Sequence, residues 1–215
     1  GGTWTGTTAS SYNTAVGALS MDGAIAGANQ NASFGYSSLS ALTTGDGNVA
    51  VGSYAMLSML TGSSNVAIGS YDGTTEGALR TSTAASQCVA IGTGAMGSVA
   101  VETTANGTVG IGYKSLYALT SGIGNVAVGY QALDAEDDGD FNTAVGYQAL
   151  TAQTGTSGTV GNTAVGYKAG LSITTGYGNT VLGESALYTD DVGIASTAIG
   201  KGALYSQNIS SAAES

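Results

Sequence analysis

One glycine position recurs along this chain, at Gly17, Gly35, Gly52, Gly69, Gly92, Gly112, Gly129, Gly146, Gly166, Gly183 and Gly200. Each closes a copy of one motif, clearest as Asn125–Leu133 (NVAVGYQAL), Asn142–Leu150 (NTAVGYQAL) and Asn162–Gly170 (NTAVGYKAG). Six of the ten spacings are 17 residues, and the others are 18, 23, 20 and 20. A fixed short period over a whole chain predicts stacked coils rather than a conventional globular domain. The expected fold is all-β: a parallel β-solenoid, or β-roll, of about eleven 17-residue coils over residues 13–204. Residues 1–12 read as a connecting segment and 205–215 as a tail. The opening Gly1-Gly2-Thr3-Trp4 has neither a basic region nor an apolar one, and reads as the start of a fragment or a processed product.

Counting the motif Asn as position 0, positions 1 and 3 carry Thr or a larger apolar residue, as in Val49/Val51, Val66/Ile68, Val89/Ile91 and Val126/Val128. Positions 2 and 4 are Ala and Gly. Alternating size over five residues is a strand pattern. The expected packing puts the Val/Ile column in the core of each coil and leaves the bare Ala/Gly face for close backbone approach. A second strand is expected at the Ala-Leu segment and beyond, as in Ser115–Leu119, with short helices there as the competing reading. Turns follow at Thr43–Asn48, Thr61–Asn65, Thr120–Asn125 and Thr174–Asn179. Their Gly three before the motif Asn, and often another directly before it, are expected to supply positive φ. Position 0 is Asn13, Asn31, Asn48, Asn65, Asn125, Asn142, Asn162 and Asn179 in eight coils, which suits a turn residue or a stacked amide ladder.

The composition excludes several classes of function. Gly numbers 36 and Pro none, with no three-residue period, so the chain is not collagen. Only 8% of residues are charged and apolar residues recur in register, which argues against disorder. Fourteen acidic against four basic residues give a formal charge of −10, wrong for nucleic acid or an anionic membrane. No apolar run reaches the length of a membrane span. Histidine is absent, which removes the commonest general base. Cys88, at a motif Asn position, reads as a small buried thiol. No enzyme activity and no cofactor are expected.

The motif of residues 142–150 resembles the head repeat of trimeric autotransporter adhesins, Asn-Ser-Val-Ala-Ile-Gly. With its Thr-Gly turns, and with Gly2-Thr3-Trp4-Thr5-Gly6-Thr7-Thr8 at the start, the chain is most similar to repeats of bacteriophage tail fibres, those of cyanophages included. The resemblance covers about nine-tenths of the chain, although the adhesin period is shorter. It implies a homotrimer around a threefold axis and a fibre segment on a virion tail, a stiff shaft contacting a host-surface glycan or protein receptor. A bacterial cell-surface adhesin head is the alternative and a glycan-depolymerising tailspike a further one. Thin coils give an independent reason to trimerise, because one chain buries little core for its surface; the small Ala/Gly face is expected near the axis.

Three candidate ligand surfaces stand out. Asp134, Glu136, Asp137, Asp138 and Asp140 form an oxygen-rich cluster of the kind that can hold calcium, but a solvated acidic turn suits the unbroken spacing better. Asp137, Asp138 and Asp140 are its candidate ligand residues. Tyrosines follow the motif Gly at Tyr36, Tyr113, Tyr130, Tyr147 and Tyr167; Tyr130, Tyr147 and Tyr167 are candidates for a sugar-binding column, against ring stacking along the ladder. Insertions, placed at Gly73–Ser86, Ser98–Gly107 and Thr154–Gly161, are expected to loop out on one face. An ice-binding array would need regular Thr-x-Thr, and the Thr3-Trp4-Thr5 and Thr81-Ser82-Thr83 copies are isolated.

Overall fold

The computed structural model describes residues 10–97, 105–155 and 158–207. Most of the expected connecting segment and most of the tail lie outside the described residues. The fold is all-β, with no helix among the described residues. Eleven three-residue strands carry motif positions 1 to 3: β1 (Thr14–Val16), β2 (Ala32–Phe34), β3 (Val49–Val51), β4 (Val66–Ile68), β5 (Val89–Ile91), β6 (Val109–Ile111), β7 (Val126–Val128), β9 (Thr143–Val145), β11 (Thr163–Val165), β12 (Thr180–Leu182) and β13 (Thr197–Ile199). They form one parallel sheet in chain order, making a solenoid of about ten turns. The register is position on position throughout, for example Val49↔Val66, Ala50↔Ala67 and Val51↔Ile68. Parallel strands lie about 4.8 Å apart, so eleven of them span on the order of 50 Å. Two further strands, β8 (Gly139–Asp140) and β10 (Gly158–Thr159), pair beside the main sheet.

The core is the reverse of the expected one. Position 2 points inward: Ala50, Ala67, Ala90, Ala127, Ala144 and Ala164 are fully buried. Positions 1 and 3 face out, and Val16, Val51, Ile68 and Ile199 are exposed. The small residue is inside because the opposite wall is large. Position 8 supplies Met21, Leu39, Met56, Leu79, Met96, Leu116, Leu133, Leu150 and Leu187, all fully buried. Each such side chain contributes roughly 1.5–3 kcal/mol on burial. A coil this flat has room for one large layer only. The Ala of position 2 therefore lies inside the coil and is not free to line an axis between chains.

The expected second strand is also absent. The segment after the motif Gly is a wide turn built by alternation of backbone hand. In the coil of β7, Gly129 has φ 143, Gln131 φ 51 and Leu133 φ 52. The same left-handed positions recur at Lys114 and Leu116, and at Gln148 and Leu150. Left-handed backbone costs an L-residue about 1–2 kcal/mol, and here hydrogen bonds and Leu burial offset it. Gln131 N–H donates to Tyr113 O of the preceding coil and Leu133 N–H to Ala149 O of the next. The turn thus continues the inter-coil ladder in both directions without being a strand or a helix.

The motif Gly is needed twice over, and its close approach is along the stack rather than toward another chain. At Gly35 φ is 143, and a Cβ would lie 2.5 Å from Gly52 O in the next coil. Gly17, Gly92, Gly112 and Gly183 share this geometry, with φ of 130, 127, 135 and 134. A Cβ on them would strike Gly35, Gly112, Gly129 and Gly200 respectively, in each case the backbone of the next motif Gly. Gly200 departs from the pattern. Its φ is 118, but a Cβ there would meet nothing within 4 Å, because no further coil stacks on it among the described residues. It is required by its backbone conformation alone.

The Gly three before the motif Asn differs from expectation. Gly45, Gly62, Gly122 and Gly176 lie outside the left-handed range; close approach requires them instead, since a Cβ on Gly45 would strike Gly62 O. Positive φ belongs to the residue directly before Asn, as at Gly47 (66), Gly124 (64), Ser64 (60) and Phe141 (60).

Between these glycines runs a buried amide ladder. Asn31 Oδ1 accepts the N–H of Asn48, and Asn48 Oδ1 accepts that of Asn65. The Nδ2 groups of Asn31, Asn48, Asn65, Asn125, Asn162 and Asn179 also reach a turn carbonyl of the next coil, as Asn48 to Gly62 O at 2.8 Å. The same chain links Asn125, Asn142, Asn162 and Asn179 and ends on Ser196 N–H. Two of the residues that replace Asn imitate the Nδ2 bond: Cys88 Sγ donates to Ala105 O at 3.1 Å and Thr108 Oγ1 to Gly122 O at 3.4 Å. Burial pushes the Cys88 thiol above its ordinary pKa, so it stays protonated and inert.

Candidate functional site

The tyrosines after the motif Gly stack as a ladder. Ring centroids are 5.3 Å apart for Tyr113–Tyr130, 5.0 Å for Tyr130–Tyr147 and 5.5 Å for Tyr147–Tyr167, with planes within 20°. Parallel in-register strands place identical side chains one spacing apart, which forces this arrangement. The rings are about half exposed, but each face inside the column is covered by the next ring. A sugar stacks on a ring face, so the column offers edges and hydroxyls instead. Tyr36 stands apart from them and meets Tyr54 edge-on at 5.3 Å.

The acidic segment divides into three roles. Glu136 is fully buried, not solvated as expected. It occupies the core column six before the motif Asn, where neighbouring coils carry Leu42, Met59, Leu119 and Ile173. Its Oε1 accepts Gly139 N–H at 2.7 Å and its Oε2 accepts Asn142 Nδ2 at 3.2 Å. The same column holds Gln153, bonded to Asn162 Nδ2, and Asp190, which accepts Gly193 N–H at 3.0 Å. These polar residues secure the following turn from inside. Desolvation raises the Glu136 pKa above its ordinary value, the Gly139 N–H partly opposes it, and the Asp137 and Asp138 charges add to the rise. Asp138 is raised too, by desolvation and then by Asp137.

Asp137 and Asp138 lie with Glu136, their carboxylate oxygens within 4.8 Å of one another. Calcium takes six to eight oxygen ligands. Both Glu136 oxygens already face N–H donors, so the buried member of the cluster points away from a cation. Asp140 is elsewhere in role: on β8, its Oδ1 accepts Ile123 N–H at 2.8 Å and its carbonyl accepts from Val160 and Gly161. It ties three coils together. Asp134 takes a hydrogen bond from Gln131 Nε2.

The first insertion sits earlier than expected. Ala78 N–H returns to Gly69 O, as Ala55 N–H does to Gly52 O, so the extra length falls within residues 70–77, where a regular coil has only 53–54, and the coil is regular again from Ala78. The loop is pinned at its base. Asp72 Oδ1 accepts the N–H groups of Thr74 and Thr75, which hold its carboxyl below the ordinary range. Arg80 pairs with Glu76 and lies over the Tyr54 and Tyr71 rings at 5.1 and 5.3 Å. Thr75 Oγ1 meets Tyr113 OH at 3.0 Å, closing the top of the tyrosine ladder. Most of the second insertion, residues 98–104, lies outside the described residues, as do 156–157 of the third; Gly158 and Thr159 of the third form β10 against β8.

A continuous apolar strip on the outer face of the main sheet is one that the sequence pattern assigns to the core. Position 3 of the main sheet reads Val16, Phe34, Val51, Ile68, Ile91, Ile111, Val128, Val145, Val165, Leu182 and Ile199: apolar in every coil, and partly or fully exposed. Position 1 beside it is Ala or Val from β2 to β7 and Thr in β1, β9, β11, β12 and β13. No charged residue stands at either position. The signal was present in the Leu of position 8, whose volume competes with Val/Ile for one narrow interior. No protein-family model, curated protein or solved structure matches this chain.

Proposed function

We propose that this chain is a structural and adhesive fibre segment of a phage tail, assembled as a homotrimer, serving as a stiff shaft that contacts a host-surface glycan or protein. The observation that carries the reading is the continuous ladder: each strand of the main sheet pairs with the next, wide turns bond from coil to coil, and buried Asn side chains link most of the coils. Such a stack resists bending and gives a long repetitive surface. The motif's resemblance to tail-fibre repeats supplies the virion context. Contact with a host would fall on the irregular coils, the loop of residues 70–77 and the β8–β10 edge, because regular coils are explained by their own stacking.

Antibody labelling of tail fibres on intact virions tests the location. Label on a bacterial envelope instead would favour the adhesin head. Incubation with host polysaccharide tests the chemistry: binding without new reducing ends fits the fibre, and release of reducing ends would replace it with a depolymerising spike.

A further inference from the structure

We propose that the position 3 column is the seam through which copies of this chain associate, and that the copies run parallel and in axial register. The inference rests on the self-association proposed above and adds the surface, the direction and the register.

The strip measures about 50 Å along the stack, from eleven strands at about 4.8 Å, and about 10 Å across, from three residues at roughly 3.3 Å. That is on the order of 500 Å² of uncharged, largely apolar surface per chain, in the upper part of the roughly 300–600 Å² range of the largest apolar patch on a soluble monomer, a patch that is often functional. Its occupant must be equally flat, equally long and free of charge opposite every coil. A second copy of the same strip meets all three conditions, with apolar side chains at the same axial spacing. Charges at positions 1 or 3 would oppose such contact, and none is present among the eleven strands.

Direction follows from the neighbouring column. Position 1 is aliphatic from Ala32 to Val126 and Thr from Thr143 to Thr197. Parallel copies in register set aliphatic against aliphatic, and put the threonines together where their hydroxyls can bond one another or water. Antiparallel copies would set Thr143, Thr163 and Thr180 against Val66, Val49 and Ala32, and bury hydroxyls against methyl groups, which costs free energy unless a partner is found. The mismatch is avoided only in the parallel arrangement.

Two single substitutions read the arrangement directly. Val51→Cys and Val165→Cys lie on the third and ninth strands of the sheet, which face one another only in antiparallel pairing. Chains carrying each are mixed, unfolded and refolded together, then treated with a short bis-maleimide. The unsubstituted chain, whose Cys88 is buried, is the blank. The expected products are 51–51 and 165–165 links with no 51–165 link. A 51–165 link overturns the direction, and oligomers by light scattering that give no link at either site overturn the seam while leaving self-association standing. A single-chain mass overturns both.

Discussion

Asn48 donates its backbone N–H (2.8 Å) and its Nδ2 (3.0 Å) to the same atom, Oδ1 of Asn31 one coil before. Its own Oδ1 receives the matching pair from Asn65. Three coils are therefore coupled through one fully buried amide. Asn48→Ala leaves Asn31 Oδ1, Asn65 N–H and Gly62 O short of a partner. Each unsatisfied buried group costs about 1–3 kcal/mol, so the variant should lose several kcal/mol. Asn13→Ala, at a half-buried site at the start of the ladder, should lose clearly less. Urea midpoints of the two variants measure the difference; equal losses would mean the ladder is not cooperative.

Gly146 and Gly161 both have positive φ, at 140 and 63. A Cβ on Gly146 would run into Gly166 O, whereas the nearest atom at Gly161 is Thr159 Cγ2 at 4.0 Å. Gly146→Ala should therefore cost more than the 1–3 kcal/mol typical of overpacking, because carbonyl backbone cannot move aside. Gly161→Asn should be within about 0.5 kcal/mol of the parent, since Asn tolerates left-handed backbone and Ser64 and Phe141 already hold the equivalent place. Parallel melting curves check the order.

How far the sequence predicted this structure depends on which interaction decides each residue. The period, the parallel register and the solenoid follow from the repeat itself, because stacking identical coils admits one arrangement. The Asn ladder is legible for the same reason. The facing of the strand was not: period-two alternation gives two faces but not which is inside, and the Leu and Met of position 8 decide it by filling the interior. Nothing local marks Leu133 or Gln131 as left-handed, so the sequence pattern suggests a strand where the inter-coil bonds impose a wide turn. The acidic composition around Glu136 likewise suggests a solvated side chain. Only its place in the Leu42–Met59–Leu119 column shows that it is buried.

Glu136 makes stability depend on pH. Its pKa is raised in the fold, so the folded state holds a proton more tightly than the unfolded one. The stabilisation is fully present below the unfolded carboxyl pKa and is lost as pH rises through the higher folded value. Asp138 shifts the same way. Urea midpoints should therefore fall as pH rises above about 4.3, the ordinary Glu value. Glu136→Gln, which imitates Gln153 one coil on, should flatten that fall. An unchanged profile in the variant would place the pH dependence elsewhere.

Gly170 takes the position that Leu or Met fills in its neighbours. A Cβ there would meet Ile173 Cδ1 and Leu150 Cδ2, both at 2.9 Å. Ile173 has grown into the space. Gly170→Leu should cost about 1–3 kcal/mol from overpacking, and adding Ile173→Ala should recover part of it. A double variant no more stable than the single one would mean that the two sites are not exchanging one volume.

Light scattering on the purified protein at micromolar concentration, alongside Ile111→Asp, asks whether the outward Val/Ile strip holds copies of the chain together. Ile111 lies in the middle of the strip, with its side chain half-buried on the outer face. The expected result is three times the 20.8 kDa chain mass for the parent and a single-chain mass, with β structure retained, for the variant. A single-chain mass for the parent would mean that the strip holds no copies together.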